Sequence, residues 1–405
     1  MPPRSREARL GAPCEAVSRG SALRRFYVPV WTKFVVATAT ASGWLALSTW
    51  LAQPWIRDLG TVVGPWGAWA VVLFVALIPG FMNAHLVASL LLDRPPPLRL
   101  AIPYPPVTVL IAAYNEQDAL AETFRGLAGQ DYPATVEVIV VDDGSADGTV
   151  QVLAELAQQF PTLRVVLAPH GGKARALNAG LARVQTEIVV TIDADTFLHH
   201  QALRRIVARL VTDPPHTAAV AGAVLAKNSR DTGMTRLQEW DYFLAIASVK
   251  RQQALYQGTL VAQGAFSAFK TAPLREVEGW PAVIGEDIVA TWALLKRGYR
   301  VGFEATACGF TQVPSTWRGF QRQRQRWARG MIEGIRAHGD LIWKRPRLSG
   351  FFVAIDLLFP VSDATFSLVF IPGVVLALFG HYYIAGPMTL FVLPLIALIA
   401  TVMFS

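Results

Sequence analysis

The sequence predicts an α/β domain built on a mostly parallel sheet, flanked by N- and C-terminal transmembrane helices. Three observations carry this. Hydrophobic residues fill 53% of the 405 positions and charged residues only 16%, against about a quarter charged in soluble proteins. The apolar excess is concentrated, because positions 34–56, 59–92 and 364–405 contain no Asp, Glu, Lys or Arg. Between these stretches, short apolar runs alternate with segments of helical spacing, as expected of strands covered on both faces by helices.

The basic tail comes first in the chain. Arg4, Arg6, Arg9, Arg19, Arg24, Arg25 and Lys33 precede the first apolar stretch, against only Glu7 and Glu15. That stretch starts too far in and runs too long for a secretory signal, and a second follows at once, so both are anchors. Each exceeds the ~20 residues that cross a bilayer. Only Arg57 and Asp58 lie between them, so the positive-inside rule puts the N-terminus and the middle domain in the cytoplasm. The last stretch is interrupted near Gly380, His381 and Gly386 and is expected to hold two helices. The organisation expected is a basic cytoplasmic tail (1–32), two transmembrane helices (33–92), a cytoplasmic α/β domain (100–330), a basic interfacial segment (331–348) and C-terminal membrane helices (349–405). Cys14 and Cys308 are too few for a disulfide framework, which suits a reducing compartment. The net charge of +8 is divided between the tail and a cluster near residue 322. Membrane headgroups account for it, and no nucleic-acid partner is expected.

Within the middle domain, strands are expected at 107–112, 136–141, 163–167 and 187–192, and helices at 119–127, 150–159, 173–184 and 202–211. Right-handed crossovers line up the strand C-termini along one edge, where open α/β sheets bind ligands. Polar residues gather there. "AAYNE" (112–116) follows the first strand, "DDGS" (142–145) the second, "HGGKARALNAG" (170–180) the third and "DADT" (193–196) the fourth. Any one of these is what a tight turn uses; four aimed at one edge mark a site. Neither a G-x-G-x-x-G after a strand nor a Walker sequence is present, which argues against a dinucleotide fold or a P-loop.

The residue types indicate the chemistry. Asp193 and Asp195, on the same side of an extended strand end, can hold a hard divalent cation that bridges a diphosphate. Lys173 opens a helix after two glycines, where a phosphate would lie. Glu286 and Asp287 in "VIGEDIVATW" are either helix-start acids, with Asp287 as N-cap, or a base for an attacking hydroxyl. In "QRQRQRWARG", Gln323, Arg326 and Trp327 stand at i, i+3 and i+4 and share one helix face. Arg322, Arg329 and Arg336 form a second stripe suited to lipid headgroups.

The ordered set DDG, DAD, GED and Gln323-x-x-Arg326-Trp327 resembles the processive family 2 glycosyltransferases, the membrane synthases of poly-N-acetylglucosamine, chitin oligosaccharides, hyaluronan and cellulose. Within that family the resemblance is strongest to the bacterial poly-N-acetylglucosamine synthases, which share two leading spans and a loop like "VAQGAFSAFK". The resemblance implies a GT-A nucleotide-sugar fold. It also implies an inverting β-glycosyltransferase of the inner membrane that uses a UDP-sugar, first of all UDP-N-acetylglucosamine, with Mg2+ or Mn2+. By the same resemblance Ala113, Tyr114, Glu116 and Asp143 would line the uridine pocket, with Asp142 also contacting the nucleoside. Lys173 would approach the nucleotide, Asp193 the ribose or diphosphate, and Asp195 the metal, with Asp193 as its companion ligand. Gly264 belongs to the acceptor loop. Asp287 would be the general base with Glu286 beside it. Arg326 would grip the diphosphate, Gln323 share its face, and Trp327 stack under the acceptor sugar. Where the family mostly has Thr before the Glu-Asp pair, this chain has Gly285.

The partners implied are the UDP-sugar, the growing polysaccharide, membrane lipid and a small accessory membrane subunit. Four spans are few for a polymer channel, so further C-terminal helices are expected. Two other classes share some of these features. A non-processive transferase to a polyprenyl-phosphate carrier would keep the DDG and DAD carboxylates but would not need the Gln-x-x-Arg-Trp segment. A transport or scaffold protein would have no reason to cluster carboxylates at four strand ends.

Overall fold

The computed structural model describes residues 28–93, 97–243, 248–256, 258–344, 348–386, 390–391, 394–395 and 398. The basic tail up to residue 27, with Cys14, lies outside the described residues. Arg94–Phe351 forms most of one compact unit, and Tyr27–Asp93 with Phe352–Ser405 the other.

The first unit begins with β1 (Val107–Ala113), α1 (Leu120–Ala128), β2 (Val136–Asp142), α2 (Thr149–Gln159), β3 (Leu163–Leu167), α3 (Lys173–Leu181) and β4 (Ile188–Ile192). All four strands run parallel, as their mostly apolar runs predict, and their C-termini share one edge. The chain continues through β5 (Phe197–Leu198), α4 (Ala202–Thr212), β6 (Thr217–Ala226), α5 (Gly233–Tyr242), α6 (Lys250–Leu255), β7 (Phe266–Lys270) and α7 (Thr271–Glu276). It then adds α8 (Glu286–Arg297), β8 (Arg300–Thr311) and α9 (Trp317–His338). One eight-stranded sheet results, in the order β3-β2-β1-β4-β7-β6-β8-β5. β7 is antiparallel to both β4 and β6, so the sheet is mixed beyond its first four strands.

The core lies between the sheet and its helices. On α4, Leu203, Ile206, Val207 and Leu210 recur at helical spacing and are fully buried. α3 sits directly on the sheet, because a Cβ on Gly180 would stand 2.2 Å from Leu110 Cδ1. α8 has Glu286 and Asp287 in its first turn and Lys296 and Arg297 in its last, each complementing the helix dipole. It ends on Gly298 at φ 96, where the Tyr299 N–H returns to the Leu294 carbonyl.

In the second unit, Val30–Leu51, Gln53–Leu91 and Gly350–Ala377 are long and apolar enough to cross a membrane. The middle one has 39 residues, longer than a ~30 Å hydrocarbon core needs at 1.5 Å per residue. Gly64, at φ 79 before Pro65, interrupts it. Trp50 and Trp66, on either side of this stretch, are 71% and 86% exposed, as interfacial tryptophans are. The C-terminal span begins at Gly350 and takes in Asp363, ahead of the charge-free stretch that starts at 364. Helix Leu348–Thr365, a π turn at Phe366–Phe370 and helix Ile371–Ala377 run on continuously through Asp363. Amides in lipid keep their backbone partners regardless of one side-chain charge. Gly380, at φ 83, lies just beyond this span.

Candidate active site

The loops after β1 and β2 are stitched together. Asn115 takes the left-handed region at φ 56. Its Oδ1 accepts the Ala146 N–H at 2.8 Å, and its own N–H donates to Ser145 Oγ at 2.9 Å. This presents Tyr114, 45% exposed, at the sheet edge. The ring stacks on His170, with centroids 4.4 Å apart. Ala113 is buried at the strand end, and its carbonyl accepts the Asp143 N–H at 2.8 Å.

The two DDG carboxylates face different ways. Asp143 accepts the N–H groups of Gly171 and Gly172, both at 2.9 Å, and lies 3.0 Å from His170 Nδ1. It thereby fixes the glycine turn that opens α3. Gly144, at φ 73, lets that turn pass, since a Cβ there would meet the His170 nitrogen at 2.9 Å. Asp142 is buried and uses Oδ2 on the N–H groups of Gly144 and Ser145, both at 3.2 Å. Asp142 thus builds the turn through Oδ2, while its buried Oδ1 has no hydrogen-bond partner among the described residues.

Lys173 and the DAD segment form the centre. Lys173 Nζ lies 2.5 Å from Asp193 Oδ1 and 3.8 Å from Glu286 Oε1. Burial alone would lower its pKa, but the charges of Asp193, Glu286 and Asp287 outweigh that and raise it. Asp193–Thr196 is a tight turn, with the Thr196 N–H donating to the Asp193 carbonyl at 3.0 Å. The extended geometry expected for this pair is therefore replaced by a turn, because β4 already ends at Ile192. The carboxylates still converge. Burial, and then the Asp193 charge, raise the Asp195 pKa, while Thr311 Oγ1 donates to Asp195 Oδ1 at 3.2 Å. Glu116 is pushed up to about 7 by burial and by Asp195, Asp193 and Asp147. Among the described residues no three Asp, Glu, His or Cys side chains form a ready cation cage. The crowded negative charge at Asp193, Asp195 and Glu116 nevertheless fits a divalent cation whose other ligands come from a diphosphate.

The loop before β7 closes this centre. Gly264 lies between three charged groups: a Cβ there would stand 2.8 Å from Lys173 Nζ and 3.8 Å from Asp193 Oδ1, and its N–H reaches Asp287 Oδ2 at 3.4 Å. Asp287 Oδ1 accepts the Ile288 N–H at 2.8 Å. The N-cap position belongs to Gly285, so the alternative of Asp287 as N-cap is corrected. Glu286 is buried, and its pKa is raised by burial and by the Asp287 charge, with Lys173 opposing. Thr291 Oγ1 joins α8 to the loop by donating to the Asp287 carbonyl at 2.6 Å and accepting the Ala262 N–H at 2.9 Å.

On α9, Trp327 lies beside Tyr242, ring centroids 5.8 Å apart. Tyr242 is buried, and its pKa is pushed up to about 12 by burial, with Asp195 among the charges it feels. The Gln323 side chain also bonds Tyr242. Arg326 is exposed. Arg324, in the same basic segment, pairs with Asp241 and lays its guanidinium 4.5 Å from the Trp327 ring centre. Gln263 Oε1 and Gln323 Oε1 are buried without a hydrogen-bond partner among the described residues.

His170, Thr311, Tyr242 and Lys250 belong to this neighbourhood and were not named from sequence. His170 stood inside a quoted motif and had a findable signal. Lys250 is buried, with its pKa pulled down to about 7 by burial against the charge of Asp287; nothing in its local sequence marks it.

A parallel four-strand half with carboxylates at its edge, closed by an antiparallel β7 and by α8 with its Glu286-Asp287 pair, is the GT-A arrangement of nucleotide-sugar enzymes. Residues 108–278 match the family model described as glycosyl transferase family 2. Poly-beta-1,6-N-acetyl-D-glucosamine synthases of Staphylococcus aureus and Staphylococcus epidermidis are 32% and 31% identical over 225 residues, 55% of this chain and 54% of theirs. The chain thus matches about half the length of these curated relatives. Among solved structures, a mannosyltransferase from Pyrobaculum calidifontis in complex with GDP-Man and Mn2+ has the same fold. Its TM-score is 0.55 at 23% identity, over 87% of this chain and 91% of that one.

Proposed function

We propose that the protein is an inverting, processive β-glycosyltransferase that takes N-acetylglucosamine from UDP-N-acetylglucosamine and extends a membrane-exported polysaccharide. The observation that carries this is the convergence on Gly264 of Lys173, Asp193 and Asp287. A diphosphate charge site and Asp287 Oδ2, which accepts the Gly264 N–H at 3.4 Å, meet at one backbone position. The identity to the staphylococcal synthases supports the donor and product class.

In this mechanism Asp287 Oδ2 takes the proton of an acceptor hydroxyl. The hydroxyl oxygen forms its bond to the anomeric carbon while the bond from that carbon to the UDP oxygen breaks on the opposite face, inverting the configuration. Lys173 stands where the departing diphosphate gains charge, and Arg326 approaches it from α9. Asp193 and Asp195 would hold Mg2+ or Mn2+, which when bound offsets the diphosphate charge. The mannosyltransferase solved with Mn2+ supports that assignment. Tyr114 offers a ring face to the base, and Trp327 offers one to the acceptor sugar. The orphan amide oxygens of Gln263 and Gln323 suit sugar hydroxyls.

The test is purified full chain in detergent with UDP-N-acetylglucosamine. Release of UDP with a polymer of N-acetylglucosamine is expected, lost with chelator or Asp195→Ala and restored to the unmodified protein by Mn2+ or Mg2+. A lipid-linked monosaccharide as the product would overturn processivity, and turnover with GDP-Man alone would overturn the donor.

A further inference from the structure

We propose that Glu333, on α9, is a positioning residue that sets the Glu286-Asp287 pair of α8 in register with the Gln323–Trp327 face. The inference rests on Asp287 being the base. α8 begins without a side-chain cap, because its N-cap is Gly285. Helix N-termini carry unsatisfied N–H groups and positive dipole. Glu333 supplies the missing acceptor from another helix: its Oε2 takes the Gly285 N–H at 3.0 Å. Its other oxygen lies 3.4 Å from Arg329 Nε, one turn back on α9.

The seam around this bond is backbone against backbone. A Cβ on Gly285 would stand 2.4 Å from the Gly330 Cα, and one on Gly330 would stand 2.9 Å from the Gly285 Cα. A turn further on, a Cβ on Gly334 would meet Ile288 Cγ2 at 2.7 Å. At Gly285 itself, α8 therefore has no side chain to adjust its height on α9. The Glu333 bond and the glycine contacts fix it. Asp287 lies two residues from that bond, and Trp327 lies two turns before Glu333 on the same helix. The carboxylate that removes the proton and the ring that supports the acceptor are thus held by one joint. Small displacements of reacting groups cost large factors in rate.

The experiment compares Glu333→Ala, Glu333→Gln and Glu333→Asp in the full chain, reading kcat and KM for UDP-N-acetylglucosamine, UDP binding and Tm. Glu333→Ala is expected to lower kcat by about 10–100-fold while UDP binding stays within about twofold. Gln has the same reach and an acceptor oxygen, so it should recover most of the rate. Asp keeps the charge but falls short of Gly285, so it should not. That order holds even if the alanine variant does not fold. Asp outperforming Gln, a normal kcat in Glu333→Ala, or UDP binding lost in step with rate would each overturn the proposal. Asp287→Asn is measured alongside. If it is inactive while the Glu333 variants are normal, only this inference fails; if it is active, the base assignment fails. Adding Glu333→Ala to Asp287→Asn should slow the protein no further.

Discussion

Lys173 Nζ stands 2.5 Å from Asp193 Oδ1, in the space that a Cβ on residue 264 would enter, 2.8 Å from Nζ. Gly264 has no positive φ, so its backbone conformation does not itself demand glycine. Gly264→Ala is therefore expected to fold with little change in Tm but to push Lys173 off Asp193, lowering kcat/KM by about tenfold or more. UDP-release kinetics and thermal unfolding check both halves, and unchanged kinetics would remove Lys173 from the mechanism.

Asp287→Asn is expected to leave UDP binding near normal and to reduce transfer by about two to four orders of magnitude, the usual reach of a lost base. Because Gly285 holds the cap, the change should cost little stability. Single-turnover transfer together with calorimetric UDP binding separates the two effects.

Glu116 gives a pH dependence whose sign can be stated. Its pKa rises from 4.5 to about 7 in the folded chain. An unfolded glutamate releases its proton near its ordinary value while the folded one holds it longer, so this stabilising contribution is complete below about 4.5 and is lost as pH rises through about 7. Metal-free protein should show Tm falling across that window, and Glu116→Gln should flatten part of the slope. An unaltered slope would mean that Glu116 ionises normally.

Trp327→Ala should shorten the polymer or stop elongation, with turnover on extended acceptors down about tenfold and UDP binding retained. Arg322→Gln, on the exposed side of α9, should leave turnover largely intact and weaken binding to anionic vesicles. Full-length polymer from the tryptophan variant would favour a single-addition transferase.

A reporter fused after Arg94 is expected to read as cytoplasmic. Seven basic residues precede the first apolar stretch, and only Arg57 and Asp58 follow it before the second. A periplasmic signal would invert the topology and separate the site from its donor.

The parallel half of the sheet was legible because β1 to β4 are short Val/Ile-rich runs with at most one charged residue before their last position, each followed by a helix of clear period. The other half was not. β6 is "TAAVAGAVLA", with few β-branched residues, and β8 is broken by Arg300 and Glu304. The polar strand ends could be listed from sequence, but not their partners. That Asp142 builds a turn while Asp143 grips two glycine amides depends on where β3 delivers residues 170–172. The Gly285–Gly330 contact is set wholly by tertiary packing, since each is an unremarkable glycine in its own segment.

Asn115 sits in a left-handed conformation that costs a non-glycine residue about 1 kcal/mol, and bonds to Ser145 and Ala146 hold it there. A mobile aromatic loop must be frozen by whatever it binds, at about 0.5–1.5 kcal/mol for each immobilised side chain. Tyr114, already parked against His170, has lost that freedom during folding. If Tyr114 receives the nucleoside, as proposed, the base meets a ring already stacked on His170, and affinity follows the fit to that surface. Discrimination between nucleotides becomes a question of rigid shape, decided on arrival.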